Sequence, residues 1–100
     1  MWILRRAEPT DDVLTFRLRA GAIKTVGRAP RADFVVDAAL VSRIHCRLTA
    51  TDEGLEVVDL SSTNGTYVND KRIRKATIAA GDRLRVGRVE LRVEKSKVRS

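Results

Sequence analysis

The chain has 100 residues, enough for one small domain with a single core. Apolar residues make up 43% and charged residues 33%, with 20 Lys and Arg against 13 carboxylates and a formal charge of +7. Apolar runs are too short for a membrane-spanning helix, the opening Met-Trp-Ile-Leu lacks the form of a secretory signal, and one cysteine with one histidine leaves neither a disulfide framework nor a structural zinc site. No metal, cofactor, small-molecule substrate or membrane contact is therefore expected, and the expected setting is intracellular, in cytoplasm or nucleus.

Alternation of apolar and polar residues predicts short strands nearly throughout. The first covers 2–6 and is followed by a turn cluster at 7–12 that contains Pro9. A strand over 13–18 leads through Ala20-Gly21 to another over 22–26. Residues 27–33 form a loop, in which Pro30 forbids a central strand. A short apolar run at 34–36 precedes a second long loop at 37–43. The two clearest alternating runs, 44–50 and 55–60, are flanked by polar clusters at Ser42-Arg43 and at 61–65. Then come 66–68, a turn at Asn69-Asp70, a short strand at 72–73 and a weak run at 76–78. Ala80-Gly81 turns the chain into 82–86, and Gly87-Arg88 turns it into a last strand over 89–94. Residues 1–95 form the domain and 96–100 a tail or the start of a linker. No stretch carries a helical apolar stripe, so the chain is read as all-β, a sandwich or barrel of two sheets.

The positive surplus attracts anions: nucleic acid, acidic lipid or phosphorylated protein. Arg17, Arg19, Arg47, Arg83, Arg85 and Arg92 alternate with apolar residues, which spreads them over the solvated faces of several strands. With Trp2, Phe16, Phe34 and Tyr67 as the only aromatics, there is no stacking platform for bases. The loops at 42–43 and 61–65 are rich in hydroxyl, amide and backbone donors and poor in groups for covalent chemistry. They are expected to hold a small anionic ligand without transforming it.

Gly27-Arg28, then Ser42 and His45, then Thr63-Asn64-Gly65 with Asn69 four residues on, resemble the pattern of the forkhead-associated (FHA) domain. The resemblance runs from about Ile3 to Val93. It implies an eleven-stranded β-sandwich of two mainly antiparallel sheets, of the FHA/SMAD-like kind, whose loops at one end read phosphothreonine in a partner protein. Positions matching Arg28, Ser42, Arg43, Thr63 and Asn64 contact the ligand in the family, while those matching Gly27, His45, Gly65 and Asn69 keep the loops in shape. The resemblance also places specificity near Leu40 and Val41 and around Gly87-Arg88, with an aliphatic preference suggested by the first pair. Met-Trp-Ile-Leu is similar to the start of nibrin-type repair proteins, which implies a DNA damage response role. The module is expected to be a monomeric part of a larger protein.

The residue types suit this ligand. A phosphomonoester carries about −1.5 to −2 charges and three acceptor oxygens, so donors must converge on it from several loops. Arg28 offers a guanidinium fork matched to phosphate. Gly27 lets the strand end turn without a Cβ clash. Ser42 offers a hydroxyl and its backbone N–H, Arg43 a second cation at the rim, and Thr63 a hydroxyl and a methyl. Asn64 carries an amide suited to the peptide backbone. Taken alone, Ser42 is an ordinary turn residue and Asn64-Gly65 an ordinary hairpin turn. His45 reads as a buried scaffold residue and Cys46 as core.

Ser42, His45 and Asp59 together raise an enzyme reading, but there is no Gly-x-Ser-x-Gly elbow, phosphate-binding loop or GxGxxG. The chain is therefore read as a binding module. The alternative is a basic β-domain that binds nucleic acid, or a partner protein without need of phosphate.

Overall fold

The computed structural model describes residues 1–7 and 14–96. The turn expected at 7–12, the beginning of the strand expected at 13–18 and the tail from 97 lie wholly or partly outside the described residues. The described residues hold eleven strands and no helix. They are β1 (Trp2–Arg6), β2 (Thr15–Leu18), β3 (Ile23–Gly27), β4 (Phe34–Val35), β5 (Cys46–Ala50) and β6 (Leu55–Asp59), then β7 (Thr66–Val68), β8 (Lys71–Ile73), β9 (Lys75–Ile78), β10 (Arg83–Val86) and β11 (Val89–Lys95).

Period-two patterning decides which side chains enter the core. Cys46, Leu48 and Ala50 of β5, Leu55 and Val57 of β6, and Val89, Leu91 and Val93 of β11 are buried, while the residues between them are more exposed. These side chains meet Leu4, Leu18, Val26, Ile78 and Leu84 in one apolar layer. Two sheets enclose it, in the orders β2-β1-β11-β10-β7-β8 and β4-β3-β5-β6-β9. Every pairing is antiparallel except that of β3 with β4.

Register brings the important loops to one end. Val26, Cys46 and Asp59 stand opposite one another across β3, β5 and β6. Thr66, Val86 and Val89 do the same across β7, β10 and β11. Hence the β3–β4, β4–β5, β6–β7 and β10–β11 connections all leave the same edge of the sandwich.

Two details differ from the expectation. The strand expected from 44 begins at Cys46, because Ser42–His45 is drawn into contacts with neighbouring loops. Asn64-Gly65 is no hairpin turn: β6 and β7 belong to different sheets, and the segment carries the chain across between them. A tight hairpin does form at Asn69-Asp70, as expected, with φ of 49° and 69°, joining β7 to β8.

The arginines are also less scattered than alternation suggested. Register puts Arg17, Arg5, Arg92, Arg83, Arg85 and Arg72 on the outer face of the six-stranded sheet, with Glu90 and Glu94 among them. Arg85 lies over the Tyr67 ring, 4.3 Å from its centroid.

Candidate functional site

The loop-bearing edge holds an open cleft of about 910 Å³. Its walls come from three connections: Arg28 and Arg31 from β3–β4, residues 37–44 from β4–β5, and Ser61, Thr63 and Asn64 from β6–β7. Three guanidinium groups (Arg28, Arg31 and Arg43) face one carboxylate, Asp37, so the cleft favours an anion.

The segment 40–43 is the hub. Leu40 O accepts from Asn64 Nδ2 at 3.1 Å, and Val41 O accepts from Arg28 Nε at 3.1 Å. Ser42 O and Arg43 O accept from the backbone N–H groups of Arg28 and Ala29 at 2.9 and 3.0 Å. Ser42 Oγ accepts the Thr63 N–H at 3.1 Å, which leaves its own O–H to donate outward. Arg28 is held through Nε, so the terminal nitrogens of its fork are aimed by a fixed stem.

His45 lies beneath this hub, fully buried. Its Nδ1 accepts the Ser42 N–H at 3.0 Å, and its Nε2 stands 2.8 Å from Gly65 O. Accepting at Nδ1 fixes the tautomer in which Nε2–H donates to Gly65 O, so one ring ties the β4–β5 loop to the β6–β7 loop. The Ser42 N–H is therefore unavailable to a ligand, contrary to the expectation that it adds a second donor. Neither His45 nitrogen is left to act as a base on Ser42.

Gly27 has a different reason from the one expected. Its φ is not positive; a Cβ there would sit 2.0 Å from Arg43 O and 2.9 Å from Ile44 Cα. Glycine is needed because the 43–44 backbone passes directly over it, which seats Arg28 against Ser42. At Gly65 both conditions hold: φ is +87°, and a Cβ would meet the Arg72 side chain. Asn69 stands at the far end of β7 from Gly65, and supports the β7–β8 hairpin there. Its Oδ1 accepts the Arg83 N–H at 2.9 Å and its Nδ2 donates to Asp82 at 3.1 Å.

Of the two expected specificity positions, only Leu40 presents its side chain. It is 43% exposed with φ of 72°, whereas Val41 is 3% exposed and its side chain belongs to the core. Val41 lines the cleft chiefly through its backbone, because its side chain packs inward; a likeness of position does not reveal which way a loop side chain faces. Gly87 packs on the same hub: a Cβ there would lie 2.9 Å from Leu40 O and 3.1 Å from a Val41 methyl. The β10–β11 turn thus abuts the cleft wall, beside the positions that the family resemblance singled out.

Arg31 and Ser62 escaped the sequence reading, and Asp59 entered it only as a member of a rejected catalytic triad. Arg31 has no signal beyond lying in the same loop as Arg28. Asp59 followed by Ser62 is a detectable local motif, a carboxylate capping the chain three residues on. The Ser62 and Thr66 hydroxyls both donate to Asp59 Oδ1, the Ser62 N–H donates to Oδ2 at 3.2 Å, and Ser62 Oγ accepts the Gly65 N–H at 3.0 Å. Burial pushes the Asp59 carboxyl up, but these hydrogen bonds outweigh it and hold the group below the ordinary carboxylate range. Across the cleft, Asp33 secures the loop carrying Arg28 and Arg31 by accepting the Thr25 N–H at 2.8 Å. That bond and the Thr25 hydroxyl keep its carboxyl low. Burial, with Asp59 nearby, pushes the Cys46 thiol up to about 12, so Cys46 is an inert core group.

Comparison with known proteins follows the same outline. The FHA domain family model matches residues 24–87, which include all three cleft-forming connections. The glycogen accumulation regulator GarA of Mycobacterium tuberculosis is 39% identical over 70 residues, 70% of this chain and 43% of GarA. This chain therefore spans less than half the length of the curated relatives it matches. A chain solved in a structural and functional analysis of phosphothreonine-dependent FHA domain interactions superposes with a TM-score of 0.85, at 30% identity over 97% of this chain and 98% of that one. Mycobacterium tuberculosis EmbR, solved with a low-affinity phosphopeptide, gives a TM-score of 0.82 at 29% identity, over 99% of this chain and 25% of EmbR. These relatives lend nothing to a repair role. Trp2 itself is buried, with its Nε1 donating to Thr51 O at 2.8 Å, so the opening residues serve the core.

Proposed function

This chain belongs to the forkhead-associated domain family, and from that premise we propose that it is a reversible binding module for phosphothreonine in a partner protein. Arg28 and the Ser42 hydroxyl take the phosphate, with Arg43 and Arg31 as flanking cations. Thr63 lies beside the phosphothreonine methyl, and Asn64 receives the peptide backbone through Oδ1, since its Nδ2 holds Leu40 O. Leu40, exposed and in the left-handed region, reads an aliphatic residue beyond the phosphothreonine. The single observation that carries this reading is the convergence of Arg28, Ser42 and Asn64, from three separate connections, on one cleft. Binding without chemistry fits His45, whose two ring nitrogens are engaged by backbone groups. An intracellular setting fits the lone, buried thiol of Cys46.

Hydrogen bonds to charged groups contribute ~1.5–3 kcal/mol each. Three or four of them, less the cost of ordering a peptide, lead to a dissociation constant of about 1 μM. Calorimetry with a degenerate phosphothreonine library and matched unphosphorylated peptides tests the reading. Phosphorylated peptides alone should bind, and Arg28→Ala should remove binding while leaving the thermal transition in place. Equal binding of both libraries, or an unchanged affinity in the variant, refutes it.

A further inference from the structure

Across the 61–65 loop from the cleft lies a second open groove, of about 920 Å³, between the end of β6 and the β8–β9 connection. Ser61 lines both hollows, so the two are neighbours on one surface. Arg72, Arg74 and Lys75 line the second. The Asp59 carboxylate there already accepts from Ser62 and Thr66. Lys75 reaches Glu56 at 3.7 Å, a loose contact between exposed groups, and Arg72 and Arg74 enter no ion pair among the described residues. Arg72 is held in place: its Nε and Cζ lie 2.8 and 3.1 Å from where a Gly65 Cβ would stand. A cation of the groove is thus packed against the loop that carries Thr63 and Asn64.

Two neighbouring arginines without carboxylate partners, beside a lysine and flanking an anion-favouring cleft, call for negative charge from outside. We propose that this groove extends the phosphothreonine cleft and takes a second anionic side chain of the same ligand, an Asp or Glu or a further phosphorylated residue. The inference rests on the phosphothreonine reading of the cleft. An extended peptide advances about 3.3 Å per residue, so moving the second anion along it one residue at a time finds the position that reaches the groove.

Calorimetry on the whole chain tests this with four peptides: phosphothreonine with neutral flanks, the same with an Asp-Glu pair moved along either side, the same with a phosphoserine at the best position, and the acidic peptide without phosphothreonine. At one set of positions the acidic peptide should bind about five- to tenfold tighter than the neutral one, a gain that shrinks as salt is raised. Arg74→Gln, and separately Arg74→Gln with Lys75→Gln, should erase that gain and leave the neutral phosphopeptide within about twofold. Phosphoserine should match or exceed the acids. If the neutral phosphopeptide binds and no acidic position helps, or if the gain survives in both variants, this inference fails alone. If no phosphopeptide binds, or the unphosphorylated acidic peptide binds as well as the phosphorylated one, the parent reading fails and this one with it.

Discussion

Asp59 shows how much of the cleft depends on a residue that touches no ligand. Its carboxylate gathers Ser62 and Thr66, and Ser62 in turn receives the Gly65 N–H, so the segment bearing Thr63 and Asn64 is shaped from below. Its folded-state pKa is depressed, so its stabilisation is fully present above the unfolded value of about 3.9 and is lost as pH falls through the lower folded value. Asp59→Asn should cost about 2 kcal/mol at neutral pH. The gap between variant and wild type should narrow as pH falls below about 4, where the unfolded wild-type chain takes up the proton before the folded carboxyl does. Urea melts at a series of pH values check this; a gap that stays constant down to the acid limit would remove Asp59 from that role.

At the scale of elements, the end of β3 shows why a loop pattern cannot be read one residue at a time. Arg28 reaches the cleft because Gly27 lets the 43–44 backbone lie against it, whereas the sequence offered only a glycine matching a loop-shaping family position at a strand end. The acceptor that would clash with a Cβ is a carbonyl sixteen positions later in the chain, with no local trace. Gly27→Ala should destabilise by about 1–3 kcal/mol, the usual cost of overpacking. It should also weaken phosphothreonine binding, because relief of the clash must pull Arg28 N away from Ser42 O. Thermal denaturation together with calorimetry tests both parts. An alanine variant with unaltered stability would mean the two segments separate freely. The strands themselves were far easier to read: β5, β6, β10 and β11 alternate cleanly, whereas two-residue β4 owes its place to parallel pairing with β3.

Over the whole molecule, charge is distributed unevenly. The six-stranded sheet carries Arg5, Arg92 and Arg83 directly opposite one another on its outer face. Arg5 is paired with Glu94 at 2.9 Å, and Arg83 with Asp70 at 3.3 Å and Glu90 at 3.7 Å, while Arg92 sits between them. Like charges facing across strands destabilise by a few tenths to about 1 kcal/mol. Arg92→Glu should therefore raise stability by about 0.5–1 kcal/mol, read as a higher melting temperature, with phosphopeptide affinity unaltered because Arg92 lines neither the cleft nor the neighbouring groove. A lower melting temperature would mean that this row of arginines is not under mutual repulsion.

The sequence by itself determined the all-β architecture and nearly every strand, because side-chain alternation and turn chemistry are local properties of neighbouring residues. It also singled out Arg28, Ser42, Arg43, Thr63 and Asn64 by their likeness to a family pattern. Only the tertiary structure decided that Arg31 joins them, that Val41 turns into the core, that His45 uses up the Ser42 N–H, and that six arginines share one face. Each of these depends on strand register or on contact between distant loops. The free energy of such contacts comes from groups far apart in the chain, which no local pattern records.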